Sequence, residues 1–127
     1  MERQDINIPP IHLGWSAWFS WNELMEDVRS GGIRIPNGKP GVYEVKPKHN
    51  LKRLTIGKAS DLRMRTGQGL IKGKTQHSAG KRIRANEDTN NIEIRWAETD
   101  RPSAAEEELH EQYLTRFGKW PKYTDHT

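Results

Sequence analysis

Lysine and arginine are concentrated in the middle third of this 127-residue chain. Residues 46–84 hold twelve basic side chains against one acidic side chain, whereas segments 1–45 and 85–127 are both net acidic. Clustered cations release condensed counterions when they meet phosphates, so this pattern is typical of a surface that binds a polyanion. The same segment is rich in glycine, which allows close backbone approach to phosphate. We favour this interpretation over a solvated basic face that only keeps the protein soluble. The candidate binding residues are Lys72, Lys74, Lys81, Arg82 and Arg84.

Composition excludes several other kinds of chemistry. The chain has no Cys, so it has no disulfide framework, thiolate zinc site or cysteine nucleophile, and we expect a cytoplasmic location. Its five His show no metal-ligand spacing, and no nucleotide-binding glycine pattern is present. No apolar run approaches the roughly 20 residues of a membrane span, and the first residues do not resemble a signal peptide. We therefore expect a soluble, unsecreted protein with no membrane partner.

The apolar pattern indicates an α+β fold. Alternation typical of strands occurs in three segments, residues 42–45, 51–56 and 92–96. The first two are expected to pair as an antiparallel hairpin, with Gly57 ending the second. The predicted fold is a small three-stranded antiparallel sheet flanked by helices, with a helical arm at the N-terminus.

Helix signals lie between and after these strands. A short helix is expected after Ser60 or Asp61, running into a glycine-rich stretch, and a second one is expected near Ser78. The last helix has the clearest start, at a capping box that opens with Ser103, and Gly118 is well placed as its C-terminal cap.

The first forty residues are expected to form an arm with its own short helix. Ser20 and Glu23 fit a capping box, and a proline-containing turn closes the unit. We expect the clustered aromatic residues of the arm to pack over an exposed face of the main domain rather than to stack with bases. These residues are Trp15, Trp18 and Phe19. The chain is therefore divided into an arm, residues 1–38, and a main domain, residues 39–127.

Five motifs, in order along the main domain, resemble the signature of the GIY-YIG nuclease superfamily. They are Gly41-Val42-Tyr43, Thr55-Ile56-Gly57, Leu62-x-x-Arg65, Glu106-x-x-Leu109 and Pro121-x-x-Thr124. The resemblance covers about residues 39–124, and the strands and helices predicted above occur in the order that this family shows. It implies a GIY-YIG-like fold and an endonuclease that hydrolyses phosphodiester bonds with the help of a metal ion.

Three auxiliary positions differ from the family pattern. Thr55 stands where the family's second tyrosine is expected, Gly69 where many members have a His or Tyr, and Thr124 where the family has a tail Asn. The residues that could take over these roles are Lys58, Lys74 and His77.

The resemblance implies a catalytic trio of Tyr43, Arg65 and Glu106, and their chemistry suits phosphodiester hydrolysis. Glu106 would hold Mg²⁺ or Mn²⁺, since Mg²⁺ accepts one carboxylate with waters and substrate phosphate. Arg65 would clamp the phosphate with its planar guanidinium. Tyr43 would act as general base or orient the attacking water, and we expect nearby cations to lower its pKa from the ordinary value near 10. Outside this pattern, Tyr43 would be an ordinary strand residue and Arg65 a solvated one.

More than one glutamate could be the metal ligand. At 100° per residue, Glu106 lies beside the inward stripe of the last helix, while Glu111 points nearly opposite. Glu111 is the rival because it also starts a Glu-x-x-Leu match. In the other interpretation, Glu106 serves only as the capping partner of Ser103.

The sequence therefore predicts a metal-dependent endonuclease that acts on DNA, with a duplex as the expected substrate. The alternative is a noncatalytic nucleic-acid-binding module that retains a degenerate GIY-YIG fold, and a weaker option is a partner-binding domain. A domain of this size has little surface for reading a long site, so sequence-specific cleavage would need a homodimer or a partner protein.

Overall fold

The computed structural model describes residues 11–124, and within this range the fold is α+β. The strands are β1 Phe19–Ser20, β2 Gly41–Pro47, β3 Thr55–Ala59 and β4 Ile92–Glu98. They form one antiparallel sheet in the order β1-β4-β2-β3. Of the three strands predicted from the sequence, residues 42–45 and 92–96 lie within β2 and β4, whereas the strand predicted at 51–56 overlaps β3 only at Thr55 and Ile56. The prediction of a three-stranded sheet is wrong by one strand, because two residues of the arm pair with β4.

Helices cover both faces of this sheet. They are α1 Trp21–Arg29, a π-helix Arg63–Ile71, α2 Ser78–Asn86 and α3 Pro102–Phe117, and a short 3₁₀ turn, Thr89–Asn91, precedes β4. Within residues 11–124, none of the helices combines the length and apolar content that a membrane crossing requires.

The main core lies on one face of the sheet, under α1, the π-helix and α2. It combines Tyr43 and Val45 of β2 with side chains from all three helices. The arm belongs to the same core, because Trp21, Leu24 and Val28 of α1 are buried in it. The capping box predicted for this helix is confirmed, since Glu23 N–H donates to Ser20 Oγ and the Glu23 carboxylate accepts from Ser20 N–H.

The opposite face carries a smaller cluster and a row of charges. Residues 11–15 and α3 pack there around Val42 and Ala97. The Arg95 guanidinium lies 4.0 Å from the Trp15 ring centroid and 4.7 Å from that of Trp18. Its charge is balanced by Glu44, which is 4% exposed. The arm aromatics therefore pack on the domain, as predicted.

Two element boundaries differ from the sequence predictions. Gly57 does not end its strand but lies inside β3, opposite Tyr43. The close backbone approach to phosphate expected from the glycines does not occur at Gly67 and Gly69, because both are buried within the π-helix. A Cβ on Gly67 would lie 3.2 Å from a methyl carbon of Val28, so this glycine lets the π-helix pack against α1.

Both ends of α3 can be compared with their predicted signals. Gly118 ends the helix in the left-handed region at φ 72°, as predicted. The capping box at Ser103 is wrong, because Pro102 already occupies the first turn and the N-terminus has no side-chain cap. Proline suits this position because its fixed φ matches the helix and its missing N–H has no partner there. Glu106 is therefore not held as a capping partner.

Candidate active site

An open cleft of about 820 Å³ runs along β3, the edge strand of the sheet, between α3 and the π-helix with α2. Tyr43, Arg65 and Glu106 all line it. They come from β2, the π-helix and α3, three elements that are separate in the sequence. The fold thus brings together the three side chains that the motif pattern selected.

Gly57 lets the Tyr43 ring reach this cleft. The two residues are cross-strand partners, and a Cβ on Gly57 would overlap the Tyr43 hydroxyl. With only a hydrogen at that position, the phenol lies across β3 and brings its oxygen to the cleft wall. The rest of the ring belongs to the main core, and Tyr43 as a whole is 2% exposed.

His77 fixes the direction of the hydrogen bond to this phenol. Its Nδ1 accepts the N–H of Gly80 at 2.9 Å, which makes His77 the N-cap of α2. A neutral imidazole has one donor and one acceptor nitrogen, so we assign the proton to Nε2. Nε2 then donates to the Tyr43 oxygen at 2.7 Å. The hydrogen of the Tyr43 hydroxyl is left for a ligand in the cleft.

The pKa values of this pair keep both groups neutral. Burial lowers the pKa of His77 to about 4, and the charges of Arg65 and Arg84 act in the same direction. Burial raises the pKa of Tyr43 to about 12, although Arg65 opposes the rise through its charge and a hydrogen bond. The expectation that nearby cations lower the pKa of Tyr43 is therefore wrong in its net direction. At neutral pH Tyr43 is a phenol, which donates a hydrogen bond and does not accept a proton.

Arg65 is the third residue of the π-helix and is half-buried. Its Nη1 donates to the carbonyl of Gln76 at 3.1 Å, across the cleft wall. This bond uses part of a guanidinium that carries five donors, and the group also lies close enough to Tyr43 to affect the pKa of that phenol. Arg65 can therefore bind an anion next to the phenol.

Glu106 faces the cleft from α3, whereas Glu111, the alternative metal ligand, does not. Glu106 is half-buried and lines the cleft beside Ser103 and His110. Glu111 is exposed and lies with Glu108 around a shallow depression elsewhere on α3. This placement favours Glu106 as the carboxylate that can act with Tyr43 and Arg65.

The side chains of the cleft fit a magnesium ion bound by one carboxylate better than a metal ion bound by several protein ligands. Among residues 11–124, no three His, Asp or Glu side chains come together as a metal cluster. Asp61 also lines the cleft, but its Oδ1 accepts the N–H groups of Gly38 at 3.0 Å and Met64 at 3.3 Å. Glu106 would thus act as a single carboxylate, which is the arrangement that Mg²⁺ uses with waters and substrate phosphate.

Two of the three auxiliary positions contact each other. The hydroxyls of Thr55 and Thr124 lie 3.2 Å apart, and Ile56 N–H donates to Thr124 Oγ1 at 3.4 Å. Both threonines line the cleft. These two threonines therefore form one hydrogen-bonded pair at the edge of the cleft.

Of the three candidate substitutes, His77 and Lys58 lie in the cleft. A side chain at Gly69 would point toward Thr75 and His77, so His77 lies next to this third auxiliary position. Lys58 Nζ donates to Ser103 Oγ at 3.0 Å, near Glu106. Lys74 lies outside this cleft and lines a second one.

The five basic residues selected from the sequence divide into three groups. A second cleft of about 710 Å³ shares residues 75–78 with the first, and Lys74, Lys81, Arg82 and Arg84 line it. Lys74 and Lys81 are exposed. The two arginines serve the fold, because Arg84 donates to the carbonyls of Gly69 and Leu70, and Arg82 donates to that of Tyr123.

Lys72 is half-buried and lies outside the lining of both clefts. Lys74 and Lys81 are thus exposed cations of the second cleft, and the nucleic-acid-binding role of all five residues stays a prediction.

Sequence reasoning named His77 only as a candidate auxiliary residue and missed how the trio is supported. Gly57 and His77 position the Tyr43 phenol, and His110 closes part of the cleft by donating from Nε2 to the Ile56 carbonyl at 3.0 Å. The spacing of four residues between Glu106 and His110 was a usable signal, since it puts both on one helix face. The contact between Tyr43 and His77 had no local signal.

Comparisons with family models, with curated proteins and with solved structures found no match for this chain.

Proposed function

We propose that this chain is a metal-dependent endonuclease of the GIY-YIG type that hydrolyses phosphodiester bonds in DNA. The observation that supports this most directly is the meeting of Tyr43, Arg65 and Glu106 in one open cleft. A phenol donor, a guanidinium and a carboxylate are the groups that a phosphoryl transition state requires for hydrogen bonding, charge neutralisation and metal binding.

Each member of the trio has a separate task in this proposal. Arg65 binds the non-bridging oxygens of the scissile phosphate. The Tyr43 hydroxyl donates a hydrogen bond to a phosphate oxygen, because its oxygen already accepts a hydrogen bond from His77 Nε2–H. Glu106 would hold Mg²⁺ or Mn²⁺. When bound, such an ion neutralises developing charge and lowers the pKa of its water.

The second cleft extends the substrate path beyond the scissile phosphate. It continues from the first across residues 75–78 and exposes the ammonium groups of Lys74 and Lys81. Cations beyond the reacting centre favour a polymer with further phosphates over a mononucleotide. This supports a nucleic-acid polymer as the substrate class.

The test is nicking of a supercoiled plasmid with Mg²⁺ and with EDTA. Glu106→Gln and Arg65→Ala should each lower the nicking rate by about 10² to 10³, since each removes a preorganised charge at the phosphoryl group. Glu111→Gln and Arg63→Ala are the matched controls, because they change the same residue types on the same helices outside the cleft. The proposal fails if the control variants lose as much activity as the cleft variants.

A noncatalytic binding module is the second candidate function. The Thr55–Thr124 pair favours it, because two hydroxyls bonded to each other replace two groups that assist the site in the family. This alternative predicts salt-dependent DNA binding by the wild-type protein and no nicking at any Mg²⁺ or Mn²⁺ concentration. Metal-dependent nicking that Glu106→Gln abolishes would exclude it.

A further inference from the structure

The register of β2 determines which peptide groups of the edge strand face outward. Just beyond the ends of β2, Pro40 accepts from Thr99 N–H at 3.0 Å and Lys48 N–H donates to Asn91 at 2.9 Å, both toward the β4 side. In an antiparallel sheet the N–H and C=O of one residue point to the same side, and the side alternates along the strand. The even-numbered residues of β2 thus face β4, and their partners in β3, Ile56 and Lys58, face away from the sheet.

Contacts at Ile56 agree with this assignment. Its N–H donates to Thr124 Oγ1 at 3.4 Å, and its carbonyl accepts from His110 Nε2 at 3.0 Å. The Leu54 carbonyl accepts from Tyr123 N–H at 2.7 Å. The C-terminal residues 121–124, here called the tail, and α3 therefore occupy the outer edge of β3 as far as Ile56.

Lys58 is the next residue whose peptide group faces outward. It is exposed, and it lines the cleft next to Gly57, over which the Tyr43 phenol lies. We infer that the backbone N–H of Lys58 is a hydrogen-bond donor to the substrate phosphate, aimed at the same group that Tyr43 and Arg65 bind. This inference rests on the proposed function, and it adds a main-chain ligand to that site.

A donor of this kind is held rigidly by the sheet. The peptide plane of Lys58 is fixed because the register of β3 against β2 is fixed on both sides of it. A fixed donor costs no reorganisation when charge develops on the phosphate, so one such group contributes about 10² to 10³ in rate. The Lys58 ammonium makes a contribution separate from that of the backbone N–H, since it donates to Ser103 Oγ on α3.

Lys58→Pro and Lys58→Ala separate the two contributions. Both remove the ammonium, but only proline removes the N–H, and proline is accepted at an edge strand where the N–H faces outward. We expect Lys58→Pro to nick plasmid about 10² to 10³ more slowly than Lys58→Ala, with circular dichroism and urea unfolding of both compared with wild type. Equal nicking rates in two folded variants would overturn the inference.

An NMR titration of the wild-type protein tests the same contact if Lys58→Pro does not fold. ¹⁵N-labelled protein in EDTA is titrated with a short DNA duplex. The Lys58 amide proton should move downfield and exchange more slowly with solvent, whereas the Gly57 amide, which faces β2, should change little. A Lys58 amide that does not respond while the Arg65 guanidinium signal does overturns the inference and leaves the proposed function standing. If neither signal responds, the proposed function fails as well.

Discussion

Removing the oxygen of Tyr43 should destabilise the fold through the partner that it leaves behind. The His77 imidazole is 4% exposed, and its Nε2–H donates to Tyr43 at 2.7 Å. In Tyr43→Phe the ring keeps its packing, but this buried N–H has no acceptor. An unsatisfied buried donor costs about 1 to 3 kcal/mol.

A double-mutant cycle isolates the free-energy cost of leaving the His77 N–H without an acceptor. His77→Asn keeps an N-cap that can accept the Gly80 N–H, which is worth about 0.5 to 2 kcal/mol, but its shorter side chain does not reach Tyr43. In the His77→Asn background, Tyr43→Phe leaves no imidazole N–H unsatisfied. The cost of Tyr43→Phe should therefore be about 1 to 3 kcal/mol smaller there than in the wild-type background.

Urea unfolding of the four proteins measures this coupling, provided that the slopes of the free energy against urea agree. Equal costs of Tyr43→Phe in the two backgrounds, to within about 0.5 kcal/mol, would refute the assigned proton position on His77 and the stabilising bond. A parallel nicking assay shows whether the phenol is also needed for activity.

Three further predictions concern pH, packing and salt. The pKa of His77 is lowered to about 4 in the fold, so as pH falls the unfolded chain takes up a proton first. The free energy of unfolding should therefore fall by about 3 kcal/mol between about pH 6.5 and pH 4. Urea unfolding of His77→Asn across this range should show a smaller loss, and an equal loss would contradict the lowered pKa of His77. Gly57→Ala should cost about 1 to 3 kcal/mol in thermal or urea unfolding and lower nicking, because its methyl group overlaps the phenol; unchanged stability would show that the strand shifts without strain. In a fluorescence-anisotropy assay on duplex DNA, Lys74→Gln combined with Lys81→Gln should lower the slope of the log association constant against log salt by about 2. The control variant Lys39→Gln should leave the slope unchanged. An unchanged slope in the double variant would mean that the second cleft does not contact phosphate.

Much of the fold follows from local signals in the sequence. The Ser20 capping box and Gly118 mark helix ends because each acts within one turn, and alternation locates β2 and β4. Strand β1 has no such signal. Its two residues become a strand only because Phe19 and Ser20 pair with Ile94 and Glu93, far along the chain.

The π-helix shows a second limit of sequence reasoning. Gly67 and Gly69 suggest a loop, since glycine is a poor helix former. Tertiary packing outweighs that preference, because a Cβ at either position would press on Val28 or Thr75. The glycines are there to admit neighbouring side chains rather than to free the backbone.

The candidate site was predictable in its members but not in its electrostatics. The motif positions select Tyr43, Arg65 and Glu106, and the structure places them in one cleft. The pKa of Tyr43 could not be predicted, because it depends on how much burial outweighs Arg65, which only the packing around the ring decides. The same holds for His77, whose proton position is set by the Gly80 N–H.

The partly open edge of β3 has a consequence for how copies of this chain behave in solution. An unpaired strand edge is a template on which another chain can add a strand, which leads to aggregation. Here the tail and α3 cover the edge up to Ile56, and the opening that follows carries the charge of Lys58. Lysine at an edge opposes such pairing, because a second strand would have to desolvate or displace its ammonium. The cleft can therefore keep the outward-facing peptide group of Lys58 beside Tyr43 and Arg65 without exposing the sheet to self-association.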